Sequence, residues 1–419
     1  MDFHFSIGWG KGEKRSLENP SVSLQDPKSY AEMFNTGPTS SGIDVSEDKS
    51  LGISTVWAAV RLLSGTEATL PLKVYRKNSD DTRSVEKKHI AYRLIHSKPN
   101  AMMNSVIFRE FLMSSALLWG NGYARIIRNT KFEPIELIPY YPYDVKPFKY
   151  NNQKFFWVSS EQKSYYDYEF IHLLGYSSDG IVGKSPIRVH MENIGLTLAA
   201  QKFGAKFFGN GTNMGGYYEH PGKLGDVAYQ RLKANLNSFS GLDNAHSSPI
   251  LEEGLKFNKI GMPPDEAQFI ETRKFQKSDI AAIFSVPPHM VGDLSNSTNN
   301  NIEQQSLEYV IYSLTPWLIR LEQEFNAKLF RDDEQETLFV EHSVNALLRG
   351  DMAARSDYYT KMISIGVLNQ DDIRMIENQN PLPDGLGAVY YRPANLIPIN
   401  QDTIKQTINN NSNQNGAQK

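Results

Sequence analysis

The chain predicts an α+β fold. Three observations carry that prediction: helical periodicity in several separated stretches, a central block of short β-branched and aromatic runs punctuated by Pro, Asn and Gly, and a composition of 40% hydrophobic and 22% charged residues that suits a buried core. At roughly 150 residues per domain, the 419 residues imply two or three structural units, and no internal repeat is visible.

Residues 1–50 are rich in Ser, Gly, Asp, Asn and Pro with little periodicity, which predicts a flexible or partner-ordered arm. From Ser54 the pattern changes. Val56, Val60 and Leu63 share a helical face, and Gly65 is expected to close that helix before a strand from Leu70 to Arg76. A second amphipathic helix is predicted from Ser105 to Trp119, ending at a Gly120, Asn121, Gly122 turn. Tyr123–Ile127, Ile135–Ile138, Phe155–Val158 and Phe170–Leu174 then read as antiparallel strands of one mixed domain spanning 51–184.

Ser185 followed by Pro186 predicts a helix start, because Ser accepts an orphan backbone N–H bond and proline's fixed φ suits the first turn. The helix expected over 185–211 carries Ile187, Met191, Ile194 and Leu198 on one stripe, and roughly 22 residues at 1.5 Å rise make a strut of about 33 Å. Gly195, Ala199, Ala200, Gly204 and Ala205 leave room for a neighbouring helix. Residues 212–260 read as a small excursion, with one helix from Val227 to Phe239 between strand-like Gly216–Glu219 and Pro249–Phe257.

A second long helix is predicted over Asp265–Phe284, within 261–288, and Pro287 with Pro288 ends it. The loop that follows, 289–301, is almost wholly Ser, Asn and Thr from Leu294 to Asn301. The next stretch, 302–345, predicts a long helix to about Phe330, kinked at Pro316, and a strand over Thr337–Glu341. Helical segments around Asp351–Ile365 and Asp371–Glu377 occupy 346–395, and the Asn- and Gln-rich 396–419 lacks the apolar content that offsets ordering entropy, so it reads as disordered.

Several chemistries lack their residues. There are no cysteines, which excludes disulfides, thiolate metal sites and thiol nucleophiles. The nine histidines are dispersed, with no i, i+4 pair to present two imidazoles to one metal. Gly204 to Gly211 spaces its glycines like a phosphate loop but puts Asn210 where lysine is required. His289 beside Pro288 and Met290 reads as a packed or capping residue, and no Gly-x-Ser-x-Gly elbow exists. The carboxylates Asp332, Asp333, Glu334, Glu336 and Asp371, Asp372 read as solvated faces or helix starts. Tyr140, Tyr141, Tyr143 and Phe148 could stack bases or sugars; their interleaved prolines favour a strand edge packed on a core. No cofactor or catalytic residue is therefore expected.

Met1–Gly10 lacks the pattern of a secretory signal, and Ile187–Phe208 carries Arg188, Glu192, Lys202 and Lys206, so neither secretion nor a membrane span is predicted. A net charge of -3 and a pI near 6.3 predict that any nucleic-acid contact is weak, since firm binding draws on a basic excess that releases phosphate counterions.

What remains is an ordered series of blocks. They are Ala58–Leu72 leading to Val74-Tyr75-Arg76, Lys98-Pro99-Asn100, Leu117 to Ala124, Asp179-Gly180-x-x-Gly183-x-Ser185-Pro186, and Phe208-Gly209-Asn210-Gly211. Then come Asp265, Gln268, Glu271, Arg273 and Phe275 leading into Ile280-Ala281-x-x-Phe284-x-Val286-Pro287-Pro288-x-Met290-x-Gly292, Ser297-Thr298-Asn299 with Glu303, Thr315 to Leu318, and Leu347 to Asp351. Over roughly 50–395 this order resembles the portal proteins of tailed bacteriophages.

The resemblance implies a wing (51–184), a stem of two helices (185–211 and 261–288), a clip between them (212–260), a tunnel loop (289–301), a long kinked helix with a strand returning to the wing (302–345) and a helical crown (346–395). The tunnel loop's Ser295, Asn296, Ser297, Thr298, Asn299, Asn300 and Asn301 become the candidate channel residues. It also implies a non-enzymatic subunit, usually one of twelve in a ring at a capsid vertex of the virion, assembled in the host cytoplasm. Implied partners are the terminase large subunit, the major capsid protein and scaffold, a head-completion adaptor, and double-stranded DNA passing without sequence specificity. Two other readings compete. A packaging ATPase would need the missing phosphate loop, and a carboxylate-pair hydrolase would be a monomer or dimer with a pocket.

Overall fold

The computed structural model describes residues 39–79, 82–209, 216–222, 225–238, 255–259, 266–293, 306–344, 352–377 and 379–391. The chain divides into two compact units at His342 and Ser343. The first unit mixes helices and sheets as expected. It opens with α1 (Glu47–Ser50) and α2 (Ser54–Thr69), followed by β1 (Leu72–Lys77), β2 (Arg83–Val85), α3 (Ile90–His96) and α4 (Ser105–Trp119). Helix α4 has the ends its sequence asked for: Asn104 accepts from the Ile107 amide at 2.9 Å, and Gly120 leaves it at φ +77°. Val56, Ala59 and Leu63 of α2 and Leu112, Met113 and Ala116 of α4 are buried where these two helices pack.

The strands form β3 (Asn121–Arg128), β4 (Pro134–Tyr140), β5 (Val145–Tyr150), β6 (Gln153–Val158), β7 (Lys163–Tyr166) and β8 (Phe170–Leu174). They make two three-stranded antiparallel sheets, ordered β4-β3-β8 and β5-β6-β7. Pro134, Pro139 and Pro147 fall on the edge strands β4 and β5, where a missing N–H costs no ladder bond. Tyr123, Val145, Phe156, Val158, Tyr165 and Phe170 form one core between the sheets, with Tyr140 packed against it. Each fully buried ring there contributes about 1.5–3 kcal/mol of transfer free energy.

After α5 (Pro186–Val189) and α6 (Met191–Gly209), β9 (Gly216–Glu219) pairs antiparallel with β10 (Lys256–Lys259), and α7 (Asp226–Ser238) lies between them in sequence. Helix α8 (Glu266–Ile283) leads to a 3₁₀ turn at Pro288–Val291. A helix re-entering at Ser306 becomes a π turn at Tyr309–Leu314 and then α9 (Thr315–Leu329). Strand β11 (Leu338–His342) returns to β1, pairing Leu72 with His342 and Val74 with Val340 in the sheet ordered β11-β1-β2. In the second unit, α10 (Met352–Ser364) precedes α11 (Gln370–Ile376), which Asn369 and Asp372 start as a capping box.

Five expectations are corrected. Gly65 does not end α2; the helix runs to Thr69 because Arg109 takes its terminal carbonyls, donating to Leu70 O at 2.9 Å, to Ala68 O, and to Glu67 O at 3.3 Å. The single strut is two helices, since His190 leaves helical geometry at φ -106°, ψ 27° between α5 and α6. Pro316 sits at the start of α9 rather than inside one long α-helix, and the π turn before it takes the Thr315 N–H to Val310 O, five residues back.

Asn121 and Gly122 are the first residues of β3 rather than part of a turn. Residues 39–50, expected to be a flexible arm, are packed. Val45 and Glu47 are buried, and the Arg188 guanidinium grips the Glu47 carboxylate through Nε at 2.9 Å and Nη2 at 3.0 Å. Residues 1–38, 249–254 and 396–419, also assigned from sequence, lie outside the described residues.

Candidate functional site

Two sequence blocks far apart in the chain lock together where the sheet body meets the strut. Asn121, the first residue of β3, accepts from the Gly183 amide at 2.8 Å and donates to the Gly183 carbonyl at 2.9 Å. No larger residue fits: a Cβ on Gly183 would lie 1.8 Å from Gly120 O, and one on Gly120 would lie 2.4 Å from Lys184 O. Asp179 holds the approaching loop by accepting from the Ile181 and Val182 amides at 2.8 and 2.9 Å, which depresses its carboxyl pKa. Ser185 then caps α5 through the Arg188 amide at 3.2 Å and donates to Leu118 O at 2.6 Å, so the strut starts at a fixed point on α4.

The strut is next tied to α8. Asn193 of α6 donates to Asp279 of α8 at 2.6 Å. Gly195 packs on Thr39, whose methyl would lie 2.7 Å from an added Cβ, so the small-residue stripe serves the N-terminal segment here.

The end of α8 forms the base of the polar loop. Ser285 turns the chain at φ +54°, the Val286 amide reaches back to Ala281 O at 2.9 Å, and Gly292 adopts φ +88°. Asp293 closes the base: its amide donates to Pro288 O at 3.0 Å, and its carboxylate accepts from Ser278 at 3.0 Å. On the far side, Ser313 of the π turn hydrogen-bonds to Ser285 O, and the Tyr309 hydroxyl donates to Leu62 O of α2 at 3.3 Å. The described residues on either side of 294–305 are therefore anchored on the same helical base. Ser295, Asn296, Ser297, Thr298, Asn299, Asn300 and Asn301 themselves lie outside the described residues.

Two buried histidines organise the electrostatics around this body. The His172 ring stacks on Tyr123 with centroids 4.7 Å apart, its Nε2 lies 3.0 Å from Asn121 Oδ1, and its Nδ1 lies 2.8 Å from Lys154 Nζ. Lysine can only donate, so Nδ1 accepts and Nε2 carries the proton of a neutral ring. Burial, followed by the charges of Lys154 and Lys328, holds its pKa well below 6.5. His342 faces carboxylates, with Glu322 at 2.6 Å and Glu67 at 3.3 Å. Burial opposes its charge, but the Glu322 and Glu67 hydrogen bonds outweigh it and raise the pKa.

Other sequence candidates are dispersed. Asp333 and Glu334 pair with Arg331 at 3.2 and 3.3 Å, and Asp372 accepts from the Tyr390 hydroxyl at 3.4 Å. Tyr140 packs on Phe170 at 5.7 Å and Phe148 stacks across strands on Phe155 at 5.6 Å, as the packing reading expects. Tyr141 meets Phe111 edge-on at 5.4 Å, while its outer face and the exposed Tyr143 stack on each other at 5.1 Å. A surface cavity of about 240 Å³ holds a His89–Glu334 pair at 3.5 Å, but the residues lining it include no hydroxyl nucleophile. Among the described residues no cluster of His, Cys, Asp or Glu could hold a metal, and no helix is long and apolar enough to cross a membrane.

The sequence profile of the family described as phage portal protein matches residues 54–378. The chain is 33% identical to the probable portal protein of Streptomyces phage phiC31, over 95% of this chain and 90% of the relative. It is 32% identical to the portal protein of Enterobacteria phage HK97, over 90% and 91%. Among solved structures, a chain from the neck of a native gene transfer agent particle, computed with C12 symmetry, superposes with a TM-score of 0.54 at 19% identity, covering 85% of this chain and 95% of that one.

Proposed function

We infer that this chain, which belongs to the phage portal protein family, forms a closed ring of twelve at one capsid vertex, through which double-stranded DNA enters and leaves the head. The portal is the connector between head and tail, and the family is structural rather than catalytic. One observation carries the reading: the Asn121–Gly183 lock ties a rigid sheet body to a strut that, with α8, presents both anchored ends of one polar loop. A conduit subunit needs that arrangement, because a loop held at both ends can face a moving polymer without unravelling.

In this reading the Ser, Asn and Thr loop touches the DNA backbone loosely. Each neutralised phosphate adds salt-dependent affinity and hence friction. The energy for packaging comes from a separate terminase ATPase docked on the clip, within Gly215–Lys259. Head-to-tail contacts whose rotation closes generate the ring, and a count of twelve is compatible with both the C12 and the C6 symmetry used for the similar necks. Assembly takes place in the host cytoplasm with major capsid protein and scaffold, and an adaptor follows at head completion.

Native mass spectrometry and two-dimensional image averages test the ring. About a dozen subunits around a central hole is the expected result, and a monomer that stays monomeric beside capsid protein and scaffold overturns it. Replacing Asn299, Asn300 and Asn301 with lysine should slow DNA packaging in a reconstituted assay; unchanged packaging removes the loop from the channel wall. A deletion within Gly215–Lys259 that leaves motor docking intact removes the clip assignment.

A further inference from the structure

Helix α2 begins without a cap. Its N-cap position is Ile53, which offers no side-chain hydrogen bond, and its first turn contains no acidic residue. The first bond at this end is Trp57 N–H to Ile53 O at 3.0 Å, so the Ser54 and Thr55 amides stand ahead of the ladder at the positive end of a 16-residue helix. These two residues line a cavity of about 80 Å³, which α6 and α8 complete with Thr197, Gln201, Arg273 and Lys277. Among the described residues no acidic one lines it.

A second observation is independent of the helix end. Gln276 of α8 also lines the cavity; it is only 5% exposed, and its Nε2 has no hydrogen-bond partner among the described residues. A buried amide donor is ordinarily paired. No carboxylate among the described residues forms an ion pair with Arg273 or Lys277. Uncapped amides, two cations, the Ser54 and Thr55 hydroxyls and an unpaired donor thus converge on one small space, and every one of them favours negative charge.

We propose that this cavity binds a single oxyanion, a group of phosphate or carboxylate type. Its volume suits one such group and is far too small for a nucleotide. Because the walls come from α2, α6 and α8, the bound group joins the sheet body to both long helices and steadies the joint through which the strut is carried. The oxyanion is either dissolved phosphate or a carboxylate side chain supplied by a neighbouring copy in the ring. These sources share their chemistry and differ in when the site is open.

The test is isothermal titration of the full-length protein with sodium phosphate against a sodium chloride background of matched ionic strength and pH, on unassembled subunits and on rings. Saturable binding to both forms identifies a dissolved anion, and saturable binding to subunits alone identifies a neighbour's carboxylate. In either case the Arg273→Ala, Lys277→Ala double variant should bind at least ten-fold more weakly. Gln276→Glu, which places a carboxylate in the cavity, should abolish binding, with circular dichroism confirming that both variants fold. No saturable binding to either form, or binding that the exposed Arg273→Ala change and its companion leave unaltered, overturns the site.

Discussion

His172 and His342 lie in the same compact unit and are almost equally hidden, at 1% and 3% exposure, yet their surroundings push them toward opposite charge states. His172 is ringed by Tyr123, Phe156 and the ammonium of Lys154, and it stays neutral. His342 lies between Glu67 and Glu322, and its proton is held. Burial alone would lower both pKa values, so the contrast shows that the sign of a buried histidine's shift is written by its nearest partners. The two sites also do different structural work. His172 backs the Asn121 lock at the root of the strut, whereas His342 fastens the returning β11 to the end of α2.

The carboxylate side of this pair should be the more brittle. Arg109→Met would leave Glu67, whose side chain is fully buried, with His342 alone as its charged partner and would remove a donor from three carbonyl groups. We expect a loss of about 3–5 kcal/mol in chemical denaturation; a loss under about 1 kcal/mol would show that the network is replaceable. On the other side, Asn121→Ala removes the bonds to Gly183 and to His172 Nε2, and should cost about 2–3 kcal/mol.

Titration separates the two sites without mutating their partners. His172 has a folded pKa below its unfolded value of 6.5, so its contribution is complete above 6.5 and is lost as pH falls below it. His342 has a raised folded pKa, so its contribution is complete below 6.5 and is lost as pH rises through the folded value. Thermal melts across pH should therefore show two limbs. His172→Gln should flatten the acid limb and His342→Gln the alkaline one; a single variant flattening both would mean that the sites are one coupled network. The smallest effect belongs to the surface. Lys361 and Asp357, 68% and 62% exposed at 2.6 Å, form a pair whose loss in Lys361→Ala should change stability by no more than about 0.5 kcal/mol.

Where a signal is local, the sequence reveals the fold. Helix α4 is legible because Asn104 and Gly120 mark its ends, and β6 and β8 because Phe155–Val158 and Phe170–Leu174 are dense apolar runs. Strand β5 is obscured by Pro147 and its lysines, β7 by its brevity, and α3 by having only seven residues. Gly65 misleads because α2 is ended by an arginine 40 residues downstream, a contact no local pattern announces. The candidate site divides the same way. The Gly120-Asn121-Gly122 and Asp179-to-Pro186 blocks stand out in the sequence, but only folding reveals that they grip each other. The loop's polarity gives its character and leaves its anchors, Asp293 and Ser313, unannounced.

The π turn at Tyr309–Leu314 changes the phase of the helix that leaves the polar loop. From the end of the π turn along α9 the buried apolar positions run Leu314, Leu318, Leu321, Phe325 and Leu329, but the preceding buried apolar residue is Tyr309, five back rather than four. One surplus residue advances the helix by about 100°, so the stretch before the π turn turns a different side to the body than the stretch packed against β8 and β11. The helix works as a shaft with a built-in quarter-turn offset. Removing one residue there would bring the two stretches back into phase and swing the loop's exit away from the Ser285 anchor, leaving the buried stripe of α9 where it is.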